Sequence, residues 1–142
     1  MGEIKTVGVI GAGQMGNGIA HVFAAANYDV ILNDISEAQL EAAIATITKN
    51  LARQRAKGLL DEAGEKAALS RIKTTTNLAD FANCDLIVEA ASEVQEIKKT
   101  IFSNLKGTIK DDAILASNTS SLSITALAAS SDRPEKFIGL HF

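Results

Sequence analysis

The chain has 142 residues, of which 46% are hydrophobic and 22% charged, values typical of one globular domain that can bury a core. Its formal net charge of -3 argues against a nucleic-acid partner, since surfaces that bind nucleic acid carry an excess of lysine and arginine. No apolar run reaches the roughly 20 residues that cross a bilayer, and the first strand begins too early to leave room for a targeting peptide. The single cysteine, Cys84, cannot form an internal disulfide, which indicates a reducing compartment. The cytoplasm is therefore the predicted compartment.

The first half of the chain alternates short apolar runs with helical stretches, a pattern typical of a parallel sheet covered by helices on both faces. Residues 6–10 are predicted to form a buried strand, which leads through a glycine-rich turn into a helix over 14–27. A second buried strand is predicted over 29–34.

Two consecutive helices, over 37–57 and 61–70, are predicted to form an antiparallel hairpin inserted at about residues 36–70. Gly58 is expected to end the first of them. Spacings of four, three and four predict a narrow buried seam on that helix, formed by Leu40, Ile44, Ile47 and Leu51. Its last turns are basic, which either complements the helix dipole or provides an anion site; the residues are Lys49, Arg53, Arg55 and Lys57.

The second half continues the alternation and contains no linker or repeat. Further strands are predicted over 72–75, 85–90, 113–117 and 137–142, and further helices over 94–107 and 123–129. The chain stops on an apolar strand, so its C-terminus is expected to be a cut through a longer protein.

The turn after the first strand fits the pattern G-x-G-x-x-G, with the residues Gly11, Ala12, Gly13, Gln14, Met15 and Gly16. In this pattern Gly11 permits the tight turn, Gly13 lets a pyrophosphate approach the backbone, and Gly16 allows close packing of helix and strand. The start of the helix then offers free N–H groups to the phosphates.

Asp34 lies at the end of the second strand, where a carboxylate accepts hydrogen bonds from the adenosine ribose of a dinucleotide. A 2'-phosphate would be repelled there and no arginine follows, so NAD is predicted rather than NADP. The other interpretation is an ordinary strand-to-helix turn with a capping aspartate. Because the features occur in the right order, we predict a doubly wound, Rossmann-type α/β fold for residues 1–142, with a mostly parallel sheet.

Polar residues follow the later strands, whose carboxyl ends share one edge of a parallel sheet with the cofactor turn. Asn118, Ser120 and His141 are therefore expected to converge near the nicotinamide, with Glu89, Glu93 and Lys98 nearby. A histidine there can take the proton of a substrate hydroxyl while hydride leaves the same carbon. Position alone leaves two other interpretations open, since His141 could be a surface residue and Ser120 could cap the next helix.

Four segments of the chain resemble the NAD-binding half of 3-hydroxyacyl-CoA dehydrogenases of the 3-hydroxybutyryl-CoA type. They are residues 10–20, 88–93, 117–122 and 133–142, and the resemblance extends over essentially the whole chain. It implies that His141 is the catalytic base and that Ser120 contacts both substrate and nicotinamide. Asn118 would line the same pocket, and Glu93 and Lys98 would contact NAD.

The resemblance also implies an acyl-CoA substrate and assigns the helical hairpin to CoA binding. Lys57 would meet the CoA phosphates and Asn50 a further part of CoA, while Ser120 would touch the acyl portion. Full-length members of the family are expected to be homodimers. The resemblance implies that they dimerise through a C-terminal helical domain, which we do not expect within these 142 residues.

A glutamate that orients the histidine in the family is absent as well. Without it the imidazole loses its fixed tautomer, so we expect these 142 residues to bind NAD but to catalyse little turnover. Two other functions compete with the dehydrogenase. One is a non-catalytic NAD-binding or structural protein, and the other is a dehydrogenase of a small hydroxy acid without CoA.

Overall fold

The computed structural model describes residues 3–91, 94–118 and 124–140. Within them, six strands form one sheet in the order β3-β2-β1-β4-β5-β6, and every neighbouring pair is parallel. The strands are β1 Thr6–Ile10, β2 Asp29–Asn33, β3 Ile72–Thr75, β4 Leu86–Glu89, β5 Ile114–Asn118 and β6 Phe137–Leu140. The order reverses between β1 and β4, which is the point where doubly wound sheets bind their ligands.

Five helices connect the strands in the described part of the chain. They are α1 Gln14–Ala25, α2 Glu37–Ala56, α3 Glu62–Ser70, α4 Gln95–Leu105 and α5 Ile124–Ala129. Short 3-10 helices precede β4 and β6, at Leu78–Phe81 and Pro134–Lys136. None of the helices in these ranges combines the length and apolar character that a membrane crossing requires.

The two faces of the sheet carry separate hydrophobic cores. On β1, the side chains of Val7 and Val9 belong to the core that contains α1, α2 and α3, whereas Ile10 belongs to the core of α4 and α5. Strand side chains alternate between faces, so α1, α2 and α3 cover one face, whereas α4, α5 and the 3-10 helix Leu78–Phe81 cover the other. The prediction of a doubly wound sheet is confirmed, and the sheet is parallel throughout its described strands.

The boundaries of the helices and the buried face of α2 differ from the prediction. Helix α1 ends at Ala25 instead of Asn27, because Asn27 has a φ of 75° and turns the chain toward β2. On α2, Ala43 takes the buried place predicted for Ile44, since the small side chain fits the core shared with α1. Ile44 instead lines a surface groove of about 570 Å³ beside Thr75, away from the glycine turn.

Asp85 ties together three segments at the amino end of the sheet. Its carboxylate accepts hydrogen bonds from the ammonium group of Lys110 and from the main-chain N–H groups of Lys5 and Thr6, at 2.9 and 3.0 Å. The bond from Lys110, together with those from Thr6 and Lys5, lowers the pKa of Asp85 from 3.8 to about 2. The carboxylate therefore stabilises the fold as long as it is ionised.

Replacing Asp85 with asparagine is expected to lower the free energy of unfolding by about 2 kcal/mol at neutral pH, because charge-assisted hydrogen bonds are lost. Since the folded-state pKa is depressed, the wild-type advantage is fully present above about pH 4 and disappears as the pH falls toward 2. Urea titrations across this pH range would measure it. Asp112→Asn is the control, because Asp112 is exposed and lies 3.9 Å from Lys110; an equal loss in both variants would contradict the assignment.

Candidate functional site

The turn between β1 and α1 has room for glycine only at two positions. Gly11 has a φ of +100°, and a Cβ atom there would lie 2.7 Å from the Cα atom of Ala91. A Cβ atom on Gly16 would lie 1.6 Å from the carbonyl oxygen of Gly11, so α1 and the turn are in direct contact. The roles predicted for Gly11 and Gly16 match these contacts.

Gly13, unlike Gly11 and Gly16, has open space beside its backbone. No heavy atom lies within 4 Å of the position where its Cβ atom would stand, so the space beside the backbone is open. Gly13 is also the N-cap of α1, and in this described stretch no side chain caps the helix and no acidic residue occupies its first turn. The first amides, at Gln14 and Met15, are left to a ligand, and a pyrophosphate fits this donor set.

Asp34 lies beside this turn and is already oriented by the backbone. Its Oδ2 atom accepts a hydrogen bond from the N–H of Ala12, and its Oδ1 atom accepts one from the N–H of Ser36, both at 2.9 Å. A carboxylate has about four lone-pair sites, so two of them are left for ribose hydroxyls. This arrangement fits the adenosine half of NAD.

A cleft of about 480 Å³ opens next to Asp34 and Gly11. Its apolar walls include Ile35, which is 96% exposed, and Ile97 and Ile101 on α4. An adenine ring laid against these side chains would cover apolar surface that is otherwise in water. The sequence analysis missed these three isoleucines, although the spacing of four residues between Ile97 and Ile101 places them on one side of α4.

The ends of β4 and β5 hold a buried group of polar side chains, with Glu89 and Lys98 both 0% exposed. The ammonium of Lys98 donates to Glu89 at 2.5 Å and to the carbonyl oxygen of Asn118 at 3.3 Å. Lys98 therefore has partners within the protein, and its direct contact with NAD stays a prediction. Asn118 is buried at the last position of β5, as expected for a residue at this edge.

Three predicted site residues, Glu93, Ser120 and His141, lie outside the described residues. The register of β5 and β6 nevertheless pairs Asn118 with Leu140, the residue before His141. The backbones of these two strands thus end side by side at the carboxyl edge of the sheet.

The residues predicted to bind CoA lie on the second half of α2. Asn50 is half-buried and its Oδ1 atom accepts a hydrogen bond of 3.4 Å from Arg53, while Lys57 is exposed at the end of the helix. The same half of α2 contacts α1 through a hydrogen bond of 3.3 Å between Gln54 and His21. The contact of Asn50 and Lys57 with CoA stays a prediction.

Replacing Asp34 with asparagine is expected to weaken NAD binding about tenfold and to reduce the preference for NAD over NADP. The amide cannot accept from the ribose and from both backbone N–H groups, and it no longer repels a 2'-phosphate. Calorimetric titration with both dinucleotides measures the effect. Asp29→Asn, at the exposed start of the same strand, should leave both affinities unchanged, and equal behaviour of the two variants would refute the role of Asp34.

Comparison with known proteins agrees with this geometry. The family described as "3-hydroxyacyl-CoA dehydrogenase, NAD binding domain" matches residues 6–142. A 3-hydroxybutyryl-CoA dehydrogenase of Bradyrhizobium diazoefficiens is 57% identical over 139 residues, which cover 98% of this chain and 47% of that protein. The corresponding protein of Clostridioides difficile is 44% identical, with 94% of this chain and 48% of that protein covered.

Solved structures give the same result. The crystal structure of (S)-3-hydroxybutyryl-CoA dehydrogenase PaaH1 from Ralstonia eutropha superposes with a TM-score of 0.95 at 44% identity, covering 99% of this chain and 50% of that one. The chain thus spans about half the length of the relatives it matches. It belongs to the 3-hydroxyacyl-CoA dehydrogenase family and corresponds to the NAD-binding domain of that family.

Proposed function

We propose that this chain is the cofactor-binding part of an enzyme that interconverts 3-hydroxyacyl-CoA, 3-hydroxybutyryl-CoA in particular, and the corresponding 3-oxoacyl-CoA. The relatives named 3-hydroxybutyryl-CoA dehydrogenase support this substrate class. NAD, when bound, supplies the hydride acceptor.

One observation carries the proposal: the pairing of Asn118 with Leu140 brings the ends of β5 and β6 together. Ser120 follows Asn118 by two residues, and His141 follows Leu140 directly. In the sequence, both candidates therefore come directly after neighbouring strands that end at the ligand-binding edge. A proton acceptor and a hydroxyl that follow these two strands would be suited to act on one substrate oxygen.

The residues of the chain would divide the reaction between them. His141 would take the proton of the 3-hydroxyl group as the hydride leaves the same carbon, and would return it in the reverse direction. The hydroxyl of Ser120 would hydrogen-bond the substrate oxygen, which it can do in either oxidation state because it both donates and accepts. Asn118 would line this pocket.

The test is turnover by the full-length enzyme that contains this domain. We expect NADH oxidation with 3-oxobutyryl-CoA and a far lower kcat/KM with 3-oxobutyrate, which lacks CoA. Comparable values for the two substrates would indicate a dehydrogenase of small hydroxy acids. Binding of NADH without turnover of either substrate would indicate a non-catalytic relative.

CoA recognition gives a separate prediction at Lys57. Replacing Lys57 with alanine in the full-length enzyme is expected to raise the KM for 3-oxobutyryl-CoA about tenfold with little change in kcat, because a contact to a remote phosphate is lost. Steady-state kinetics measure this. Lys66→Ala on α3 is the control, since Lys66 is exposed and pairs only weakly with Glu62. An unchanged KM in the Lys57 variant would exclude a contact between Lys57 and the CoA phosphates.

A further inference from the structure

Glu89 is the centre of a group of buried contacts that we call the Glu89 cluster, consisting of Glu89, Lys98, Ser117 and the main-chain N–H of Ala91. The Oε1 atom of Glu89 accepts from Lys98 at 2.5 Å and from the hydroxyl of Ser117 at 2.8 Å. Its Oε2 atom accepts from the N–H of Ala91 at 2.7 Å. The cluster therefore joins the ends of β4 and β5 to the first turns of α4.

Stability alone gives a weak reason for such a cluster. Removing two charges from water costs several kcal/mol per ion, and well-packed apolar side chains in their place are often as stable or more so. Glu89 and Lys98 are nevertheless both completely buried. The best-attested use of a buried ionic group is to fix the arrangement of the chain segments around it.

The cluster is in contact with the cofactor turn on one side. The N–H of Ala90 donates to the carbonyl of Ile10 at 2.8 Å. The backbone of Ala91 lies so close to Gly11 that a Cβ atom on Gly11 would overlap the Cα atom of Ala91. The hydrogen bond from Ala91 to Glu89 thus holds the segment against which the glycine turn rests.

On its other side the cluster holds the end of β5. The second hydrogen bond of Lys98, to the carbonyl oxygen of Asn118, fixes the last residue of that strand. The ammonium can make this bond and stay buried only because Glu89 neutralises it. One carboxylate therefore sets the relative position of the glycine turn and the end of β5.

The strand order indicates that the nicotinamide half of NAD, when bound, would lie over this part of the edge. Asp34, at the end of β2, would receive the adenosine on the β2 side of the glycine turn, and the pyrophosphate would lie at the turn itself. The remaining half of an extended dinucleotide must then pass over the ends of β4 and β5.

We propose that Glu89 is a positioning residue for the nicotinamide half of the cofactor. Through Ala91 and Lys98 it holds the glycine turn and the end of β5 at the separation that the nicotinamide riboside requires. The inference deepens the proposed function and rests on it for its catalytic meaning. Its test uses no acyl substrate, so failure of the proposed reaction and failure of this inference are distinguishable.

The test compares NADH with ADP-ribose, which has the adenosine and the pyrophosphate but lacks nicotinamide. For the wild-type protein we expect tighter binding of NADH than of ADP-ribose and enhanced NADH fluorescence in the complex. Glu89→Gln is expected to weaken NADH binding about tenfold and to remove the enhancement, while ADP-ribose affinity, measured by calorimetry, changes by less than about twofold.

Glu96→Gln is the matched control, since it is the same substitution on α4 at a side chain that is 84% exposed, and it should change neither affinity. Equal weakening of both ligands by Glu89→Gln, no weakening of either, or a wild-type protein that does not prefer NADH would overturn the inference.

A second variant covers the case in which Glu89→Gln fails to fold because Lys98 is left without its partner. Glu89→Gln combined with Lys98→Met removes both charges, so we expect a melting temperature close to that of the wild type. The hydrogen bond from Lys98 to the carbonyl of Asn118 is still removed, and the preference for NADH should remain lost. Normal NADH preference in this folded double variant would contradict the role of Glu89.

Discussion

Alanine at Gly13 is expected to abolish measurable NAD binding while leaving the protein folded. The new methyl group would meet no protein atom within 4 Å, and the φ of -71° suits alanine as well as glycine. It would stand where the pyrophosphate approaches the backbone, and we expect affinity to fall by about a hundredfold or more. Calorimetry with NAD and thermal unfolding of the same samples would measure the two effects separately.

Two neighbouring glycines provide the comparison. Gly16→Ala forces its methyl group onto the carbonyl of Gly11, so both NAD binding and stability should fall, the latter by about 3 kcal/mol. Gly18→Ala places a methyl group in open space on the surface of α1 and should raise helix stability by about 0.5–1 kcal/mol without changing affinity. If Gly13→Ala bound NAD as Gly18→Ala does, the pyrophosphate would have to lie elsewhere.

Alanine at His141 is expected to lower kcat/KM of the full-length enzyme about a thousandfold with little effect on NADH affinity. A general base contributes roughly 10²–10⁴ to such reactions, and in the proposed role the imidazole of His141 would act on the substrate oxygen rather than on the cofactor. Steady-state kinetics with 3-oxobutyryl-CoA and NADH titrations measure the two quantities.

His21 is the matched control for that variant, because the sequence contains two histidines and His21 lies on α1 with a hydrogen bond to Gln54. His21→Ala should retain kcat/KM within a few-fold of wild type. Turnover by the His141 variant at a rate close to that of His21→Ala would remove His141 from the catalytic role.

The fold was largely predictable because its signals are local and repeated. Buried parallel strands are continuous apolar runs, and Gly58 ends α2 in the left-handed conformation expected of it, with a φ of 76°. The buried face of α2 was predicted wrongly at Ile44, since periodicity favours the larger side chain, whereas Ala43 lies in the core that α2 shares with α1. That preference arises from the partner helix and is not encoded in α2 itself.

The candidate site was also predicted only in part. Gly11, Gly13, Gly16 and Asp34 follow a fixed spacing because one strand-helix-strand unit, formed by β1, α1 and β2, positions them all. The pairing of Glu89 with Lys98 joins different elements and depends on how α4 packs against β4, so the sequence could place both residues near the edge without showing that they bind each other. Ile35 was passed over because an exposed isoleucine has no periodic signature.

The two hydrogen bonds from the backbone to the carboxylate of Asp34 influence how the cofactor binds. Its carboxylate is held by Ala12 and Ser36 before any dinucleotide arrives, so little side-chain entropy is lost when the sugar docks. The adenosine end should thus behave as a rigid receptor, with nearly superimposable free and bound structures there and association rates that are insensitive to solvent viscosity beyond the diffusional effect. Any slow rearrangement on binding would have to occur at the opposite end of the dinucleotide.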